Sequence, residues 1–441
     1  MDRTILISVA NLNHGGLETR IAGELRYLRS RGYKIILATA SEKAAADELG
    51  LAYDHAVFGV PFDKALTPDR LREMVLLLSD TIQERGVTEV WAHPFPSILP
   101  AVLAAERQGI PRRVFLHGPL SLAEQGYGAL WMLVLRQFIL PAAEEVVVVS
   151  EEVREVAAAA ALSPLKRVSV VMNGVNTEVF QPQPASLPPR KRILVVSRLD
   201  RPRVKVIMPL LKAVAAHEGW GVDIAGDGTA RTQLERAARM YGLTPDRVDL
   251  LGVRHDIAEL HGDYDIVAAN GRAFLEAASG NKLCIHLGPE ASPFLVSKAD
   301  FEALRTCNYS GRDIGERTGD VIALLERMTD SEAQTYRLRD VVIAGADERR
   351  ILESWGVPDL SFVSSPVAGL LALLEEDVVP ADVSISNHPG FLTRMRRLAW
   401  PAPGKLAFQD FYIDFLEISR SNLNDRTWRA EQKLRQLQRE A

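Results

Sequence analysis

An α/β architecture with two tandem parallel-sheet domains is predicted by three features of the sequence. Short β-branched runs recur along the chain, stretches with helical spacing separate them, and a proline-rich break divides the runs into two series. The first series is ILISVA, KIILATA, EVWAH, RRVFLHG and EEVVVVS. Runs this continuously apolar are buried on both faces, as in a parallel sheet covered by helices. After residues 168–172 the pattern breaks at NGVNTEVFQPQPASLPPRK, where Pro182, Pro184, Pro188 and Pro189 mark a linker. The second series then runs RILVVSR, VDIAG, VDLLG, YDIVAA and KLCIHLG. The expectation is a Rossmann-like domain over residues 1–180, a second over 181–375, and a return segment with a helical tail over 376–441.

A chain of 441 residues exceeds one ordinary core, which agrees with two large units. With 47% hydrophobic and 25% charged residues it has the balance of a soluble globular protein. A net charge of −5 argues against a general nucleic-acid binder, so any phosphate must be met by local cations. The two cysteines, Cys284 and Cys307, form no CxxC and have no nearby His pair; neither a disulfide framework nor a structural zinc site is indicated. The N-terminal apolar run is too short for a signal peptide, and Arg136, Pro141 and Glu144-Glu145 interrupt the greasiest stretch. The expected compartment is the cytoplasm. The tail carries an excess of basic residues, as a solvated helix would or as a segment touching a membrane surface or partner would.

In open parallel sheets ligands bind beyond the carboxyl ends of the strands, so the residues that follow each strand carry the functional information. After the first strand, Asn11 to Glu18 includes Gly15 and Gly16, a turn either merely tight or shaped for a ligand's approach to a helix N-terminus. His117 follows RRVFL, where an imidazole suits hydrogen bonding to a hydroxyl; His93, one strand earlier, reads as structural. Beyond RILVVS come Arg198, Arg201, Arg203 and Lys205, four cations in eight residues, and guanidinium forks match diphosphate oxygens. Gly226-Asp227-Gly228 follows VDIA, and Asn270-Gly271-Arg272 with Glu276 follows YDIVAA. Asp263-Tyr264-Asp265 spells a metal-binding Asp-x-Asp but leads into a strand rather than out of one, so no metal site is assigned there.

The order of a Gly-Gly-x-Glu turn, strand-His-Gly, NGVNTEVFQP at 173–182, SRLDRP at 197–202, GDG at 226–228, LGVRHD at 251–256 and LEAASG at 275–280 carries a resemblance. Over roughly residues 4 to 290 it resembles the retaining, nucleotide-sugar-dependent glycosyltransferases of the GT-B fold, family four. That resemblance implies two Rossmann-like domains facing a cleft, with a nucleotide-diphosphate sugar on the second and the acceptor, a saccharide, lipid or small molecule, on the first. It implies no metal and no separate cofactor. His117 would hydrogen-bond the donor sugar, and Arg198 and Arg203, with Lys205 close by, would bind the diphosphate. Glu276 matches the second glutamate of the family's Glu-x7-Glu motif, a ribose acceptor, and is expected at a helix N-terminus. Ala268 stands where the first, sugar-facing glutamate belongs. Asn270 or the backbone at Gly271 is then expected to serve the sugar, and Arg272 the diphosphate or a charged sugar. The missing carboxylate leaves a second reading, a non-catalytic binding or scaffold partner in glycan assembly; a sugar-nucleotide epimerase ranks third. A nicotinamide dehydrogenase is disfavoured because neither half shows GxGxxG after its first strand.

Overall fold

The computed structural model describes residues 3–375 apart from 14, 63–67, 95, 123–133, 162–163, 184–190, 290–291, 313, 316, 318 and 366. The tail expected over 376–441 lies outside the described residues.

The first sheet contains β1 (Thr4–Val9), β2 (Lys34–Thr39), β3 (His55–Val57), β4 (Glu89–Ala92), β5 (Arg112–Leu116), β6 (Glu145–Val148) and β7 (Val168–Val170). All are parallel, in the order β3-β2-β1-β4-β5-β6-β7. The second contains β8 (Arg192–Val196), β9 (Gly221–Ala225), β10 (Val248–Gly252), β11 (Ile266–Ala269), β12 (Leu283–His286) and β13 (Phe294–Leu295), ordered β10-β9-β8-β11-β12-β13, with only the edge strand β13 antiparallel. In both sheets the order reverses beside the first strand, at β1/β4 and β8/β11. That reversal opens the crevice in which ligands of such sheets bind.

Each sheet is covered on both faces, as its uninterrupted apolar strands require. In the first domain Leu6, Val90 and Val114 pack under the helices Pro68–Arg85 and Ile98–Gln108. Ile5, Ile7 and Trp91 face the helix Gly16–Ser30 on the other side. In the second, Ile193 and Val195 face the helix Arg201–Ala216, and Leu194 and Val267 face the helix Gly271–Ser279.

The domain boundaries differ from those expected. Val175 is fully buried in the second domain's core, so the chain has crossed over before residue 180. It returns at Asp347 rather than near 375. Val175 N–H donates to Ala346 O and Glu348 N–H to Val175 O, a short parallel bridge that pairs the outgoing and returning strands. The helix Glu348–Trp355 then lays Leu352 into the first domain's core, and Val367 enters its opposite face. A Cβ on Gly174 would stand 2.4 Å from Glu348 Cα, so the two crossings touch as closely as glycine allows. The proline run looked like the hinge because prolines are visible in sequence; the actual crossing is defined by contacts between segments about 170 residues apart.

Candidate functional site

The carboxyl ends of the two sheets are tied together across the domain boundary. Arg312, from the second domain, donates two hydrogen bonds of 2.7 Å each to Glu152, in the first turn of the helix Glu151–Ala160 after β6. Arg272, after β11, donates to Gly174 O at 3.1 Å.

On the second domain, the cation loop is built by three close approaches. Asp200 caps the helix Arg201–Ala216 by accepting from Arg203 N. Gly226, at φ +143°, lies so near Ser197 that a Cβ would fall 1.9 Å from its carbonyl oxygen, and a Cβ on Gly228 would fall 2.6 Å from Leu199 O. The GDG turn therefore shapes the loop that carries Arg198; this is the role the geometry gives Gly226. Arg203 reaches across to donate to Asn270 Oδ1 at 2.6 Å. Burial, with Arg198 and Arg312 nearby, lowers the Arg203 pKa. Arg198 is mostly exposed, its nearest carboxylate being Asp200 at 3.5 Å. Lys205 is also exposed, and two residues along a helix turn a side chain by about 200° from Arg203. The pair Arg198 and Arg203 converges; Lys205 is not drawn in with them.

Several expectations for residues 270–276 need correcting. Glu276 is the sixth residue of the helix Gly271–Ser279, not part of its first turn, so the helix N-terminus is not what stabilises it. Its partner is Arg272, whose Nε lies 3.1 Å from Glu276 Oε1 one turn earlier. Burial raises the Glu276 pKa, Arg272 opposes that, and Glu348 adds to it. Arg272 also contacts Glu348 Oε2 at 3.6 Å and is itself only 9% exposed. It is an internal brace between Glu276, the returning helix and Gly174, rather than a free cation for a diphosphate. Asn270 spends Oδ1 on Arg203 and Nδ2 on Leu287 O, while Gly271 N–H is taken by Tyr309 O. Asn270 Oδ1 and the Gly271 N–H are thus committed within the protein, and the second N–H of Asn270 Nδ2 is the one donor of this turn left for a sugar among the described residues. Ala268 is fully buried within β11, and the chain passes from strand to helix through Asn270 alone. No loop remains there to present a carboxylate. Asp265 precedes β11 and pairs with Arg337, and Tyr264 Oη donates to Asp223, all at the end of the sheet remote from Asn270.

On the first domain, Gly15 precedes the helix Gly16–Ser30 in extended conformation, and a Cβ on Gly16 would meet open space. His14 lies outside the described residues. His117 Nε2 is 3.0 Å from His93 Nδ1, and His93 stacks on Phe115 at 4.4 Å between ring centroids. Burial pushes His117 down to about 3 and His93 well below 6.5. Both rings stay neutral where the unfolded chain would take up protons. The penalty is absent above pH 6.5 and grows as pH falls toward the folded value, at most about 1.4 kcal/mol per pH unit for each ring. The thermal midpoint is accordingly expected to fall between about pH 7 and pH 5, and to fall less in His93→Phe, as differential scanning calorimetry would show.

Sequence reasoning missed Glu24, Arg20, Glu152, Arg312 and Glu348. Glu24 and Arg20 had a signal, a charged pair one turn apart on the core face of a helix; the others meet partners too distant in sequence to be seen.

Two domains of this order, with ligand-binding strand ends turned toward one another, define the GT-B fold. Residues 14–179 match the model of Glycosyltransferase Family 4. The gpi3 subunit of phosphatidylinositol N-acetylglucosaminyltransferase from Schizosaccharomyces pombe is 29% identical over 255 residues, 55% of this chain; the match takes in about half of that relative, 54%. A glycosyltransferase from Rickettsia africae superposes with TM-score 0.61 at 15% identity, covering 85% of this chain and 99% of that one. Anabaena HepE, in complex with UDP and glucose, does so with TM-score 0.61 at 17% identity, covering 80% and 98%. Among the described residues no helix is long and apolar enough to cross a membrane.

Proposed function

We propose that the protein is a metal-independent, retaining glycosyltransferase that moves a sugar from a nucleotide-diphosphate donor to a saccharide, lipid or small-molecule acceptor. The observation that carries this reading is the loop of residues 197–203, where two guanidinium groups lie near one another with one adjacent carboxylate among the described residues, Asp200. A half-buried Arg203 whose described hydrogen-bond acceptor is a neutral amide is poorly neutralised within the protein. A diphosphate would complete it. As the glycosidic bond breaks, negative charge grows on the departing phosphate, and cations held ready for it stabilise the transition state more than the ground state. Glu276 would accept from the ribose hydroxyls, with Arg272 fixing its position. His117 would hydrogen-bond the sugar. The gpi3 relative's name mentions phosphatidylinositol, which supports keeping a lipid among the acceptors.

Binding of UDP, GDP, ADP and TDP, measured by calorimetry without added metal, tests the donor site. The HepE complex makes UDP the first choice. One nucleotide is expected to bind, and Glu276→Ala to weaken it about tenfold, the loss of a charge-assisted hydrogen bond to the ribose. The buried Ala268 favours one alternative, a non-catalytic partner in glycan assembly, and absence of binding to all four nucleotides would support it.

A further inference from the structure

We propose that Glu24 and His93 are positioning residues that hold His117 with its proton on Nε2 and a bare lone pair on Nδ1. This rests on the transferase reading only for what the lone pair then does.

The three side chains form a line through the first domain. Glu24 is fully buried on the helix Gly16–Ser30, and its Oε1 accepts from Arg20 Nε at 2.7 Å. Arg20 is anchored in turn, donating from Nη1 to Val171 O at 3.0 Å and Met172 O at 2.6 Å. Among the described residues Glu24 Oε2 has no hydrogen-bond partner and lies 3.6 Å from His93 Nε2, which has none either. That separation is too long for a hydrogen bond but short enough for a carboxylate to decide which ring nitrogen carries the proton. His93 Nδ1 faces His117 Nε2 at 3.0 Å, and His117 Nδ1 is buried without a partner among the described residues.

Two proton arrangements fit the short His–His contact, and Glu24 selects between them. Burial raises the Glu24 pKa, and the Glu348 carboxylate adds to that, while Arg20 opposes both. A protonated Glu24 would leave the Arg20 guanidinium, which does not deprotonate, as an uncompensated buried charge. Glu24 is therefore the ionised partner. An ionised carboxylate attracts an N–H and repels a lone pair, so His93 carries its proton on Nε2. His93 Nδ1 is then an acceptor, and the proton between the rings belongs to His117 Nε2. His117 Nδ1 is left as an acceptor. The logic is that of a carboxylate fixing a histidine tautomer through its far nitrogen, extended by one ring. Stacking on Phe115, 12° from parallel, keeps the first ring from rotating out of line. In the transferase, a hydroxyl of the bound sugar would donate to His117 Nδ1.

Long-range proton–nitrogen correlation spectra of the full chain labelled with nitrogen-15 histidine report each tautomer directly, without ligand. Both His93 and His117 are expected as Nε2–H. In Glu24→Gln, Arg20 holds the amide oxygen, which turns the NH2 toward His93 Nε2. Both rings should then switch to Nδ1–H. His93→Phe keeps the Arg20–Glu24 pair and removes only the acceptor, so His117 should populate both tautomers even if the glutamine variant folds poorly. With a donor sugar, Glu24→Gln should lower kcat about tenfold, the loss of one buried hydrogen bond, and leave UDP affinity unchanged. Wild-type His117 observed as Nδ1–H, or tautomers unmoved in both variants, would overturn the relay. Tautomers as expected with no nucleotide bound would uphold it and count against the transferase reading instead.

Discussion

Arg203→Ala is expected to lower turnover by about 10²- to 10³-fold while weakening nucleotide affinity much less. The range is that of removing one preorganised donor from a site where charge develops in the transition state. Arg203 qualifies as preorganised because its backbone N–H is held by Asp200 and its guanidinium by Asn270. Its pKa is lowered by burial and by Arg198 and Arg312, so the empty protein holds this cation at a disadvantage. Removing it should leave thermal stability unchanged or raise it, as happens where function and stability oppose one another. Arg203→Lys keeps the charge but loses the planar fork and should recover only part of the rate. Steady-state kcat set against calorimetric affinity separates the cases. Equal losses in both would mean that Arg203 binds ground and transition states alike, and the leaving-group role would fall.

The sheet was legible because buried parallel strands announce themselves as apolar runs. RRVFL became β5 and RILVV became β8, each ending one or two residues before the side chain that had been singled out, His117 and Arg198. Local chemistry was legible in part: the Gly226-Asp227-Gly228 turn directly after a strand is real, and its glycines let it pack on the Ser197–Leu199 backbone. What failed was anything set by partners far along the chain. Arg272 looked like a spare cation because Glu276 was placed at a helix start and Glu348 was out of view; in the fold all three meet. His93 read as structural for want of a visible partner, and its partners are Glu24 and His117. The prolines at 182–189 drew the expected domain boundary to residues 180–181, whereas Val175 pairing with Asp347 marks the crossing, and a two-segment bridge leaves no mark in either segment alone.

The largest stability loss is expected at Arg113, remote from the candidate site. Arg112 and Arg113 are adjacent in β5, so they point to opposite faces, and both are fully buried. Arg112 pairs with Glu106 at 2.7 Å and donates to Ser365. Arg113 pairs with Glu145 at 2.5 Å and with Glu89, donates to Pro358 O, and lies 5.5 Å from the ring centres of both Trp91 and Trp355. The two arginines thus clasp the returning segment from both sides of the sheet's amino end. Among the described residues, Arg113→Ala would leave Glu89 with only the partly exposed Arg3, at 3.0 Å, and Glu145 with only the half-exposed Arg167, at 3.3 Å, in place of the buried guanidinium both share. Breaking a buried pair on one side costs about 3–5 kcal/mol, whereas replacing all partners by apolar groups is often neutral. Arg113→Met combined with Glu145→Leu and Glu89→Leu should therefore recover part of what Arg113→Ala loses, the remainder being the acceptor that the buried Trp91 Nε1–H loses with Glu89. Denaturant unfolding followed by tryptophan fluorescence measures the difference, since Trp91 and Trp355 flank the guanidinium itself. A loss below about 1 kcal/mol, the range of a solvated surface pair, would mean that water reaches the carboxylates and that Leu352, Val367 and the Arg112 side of the clasp hold the return segment without Arg113.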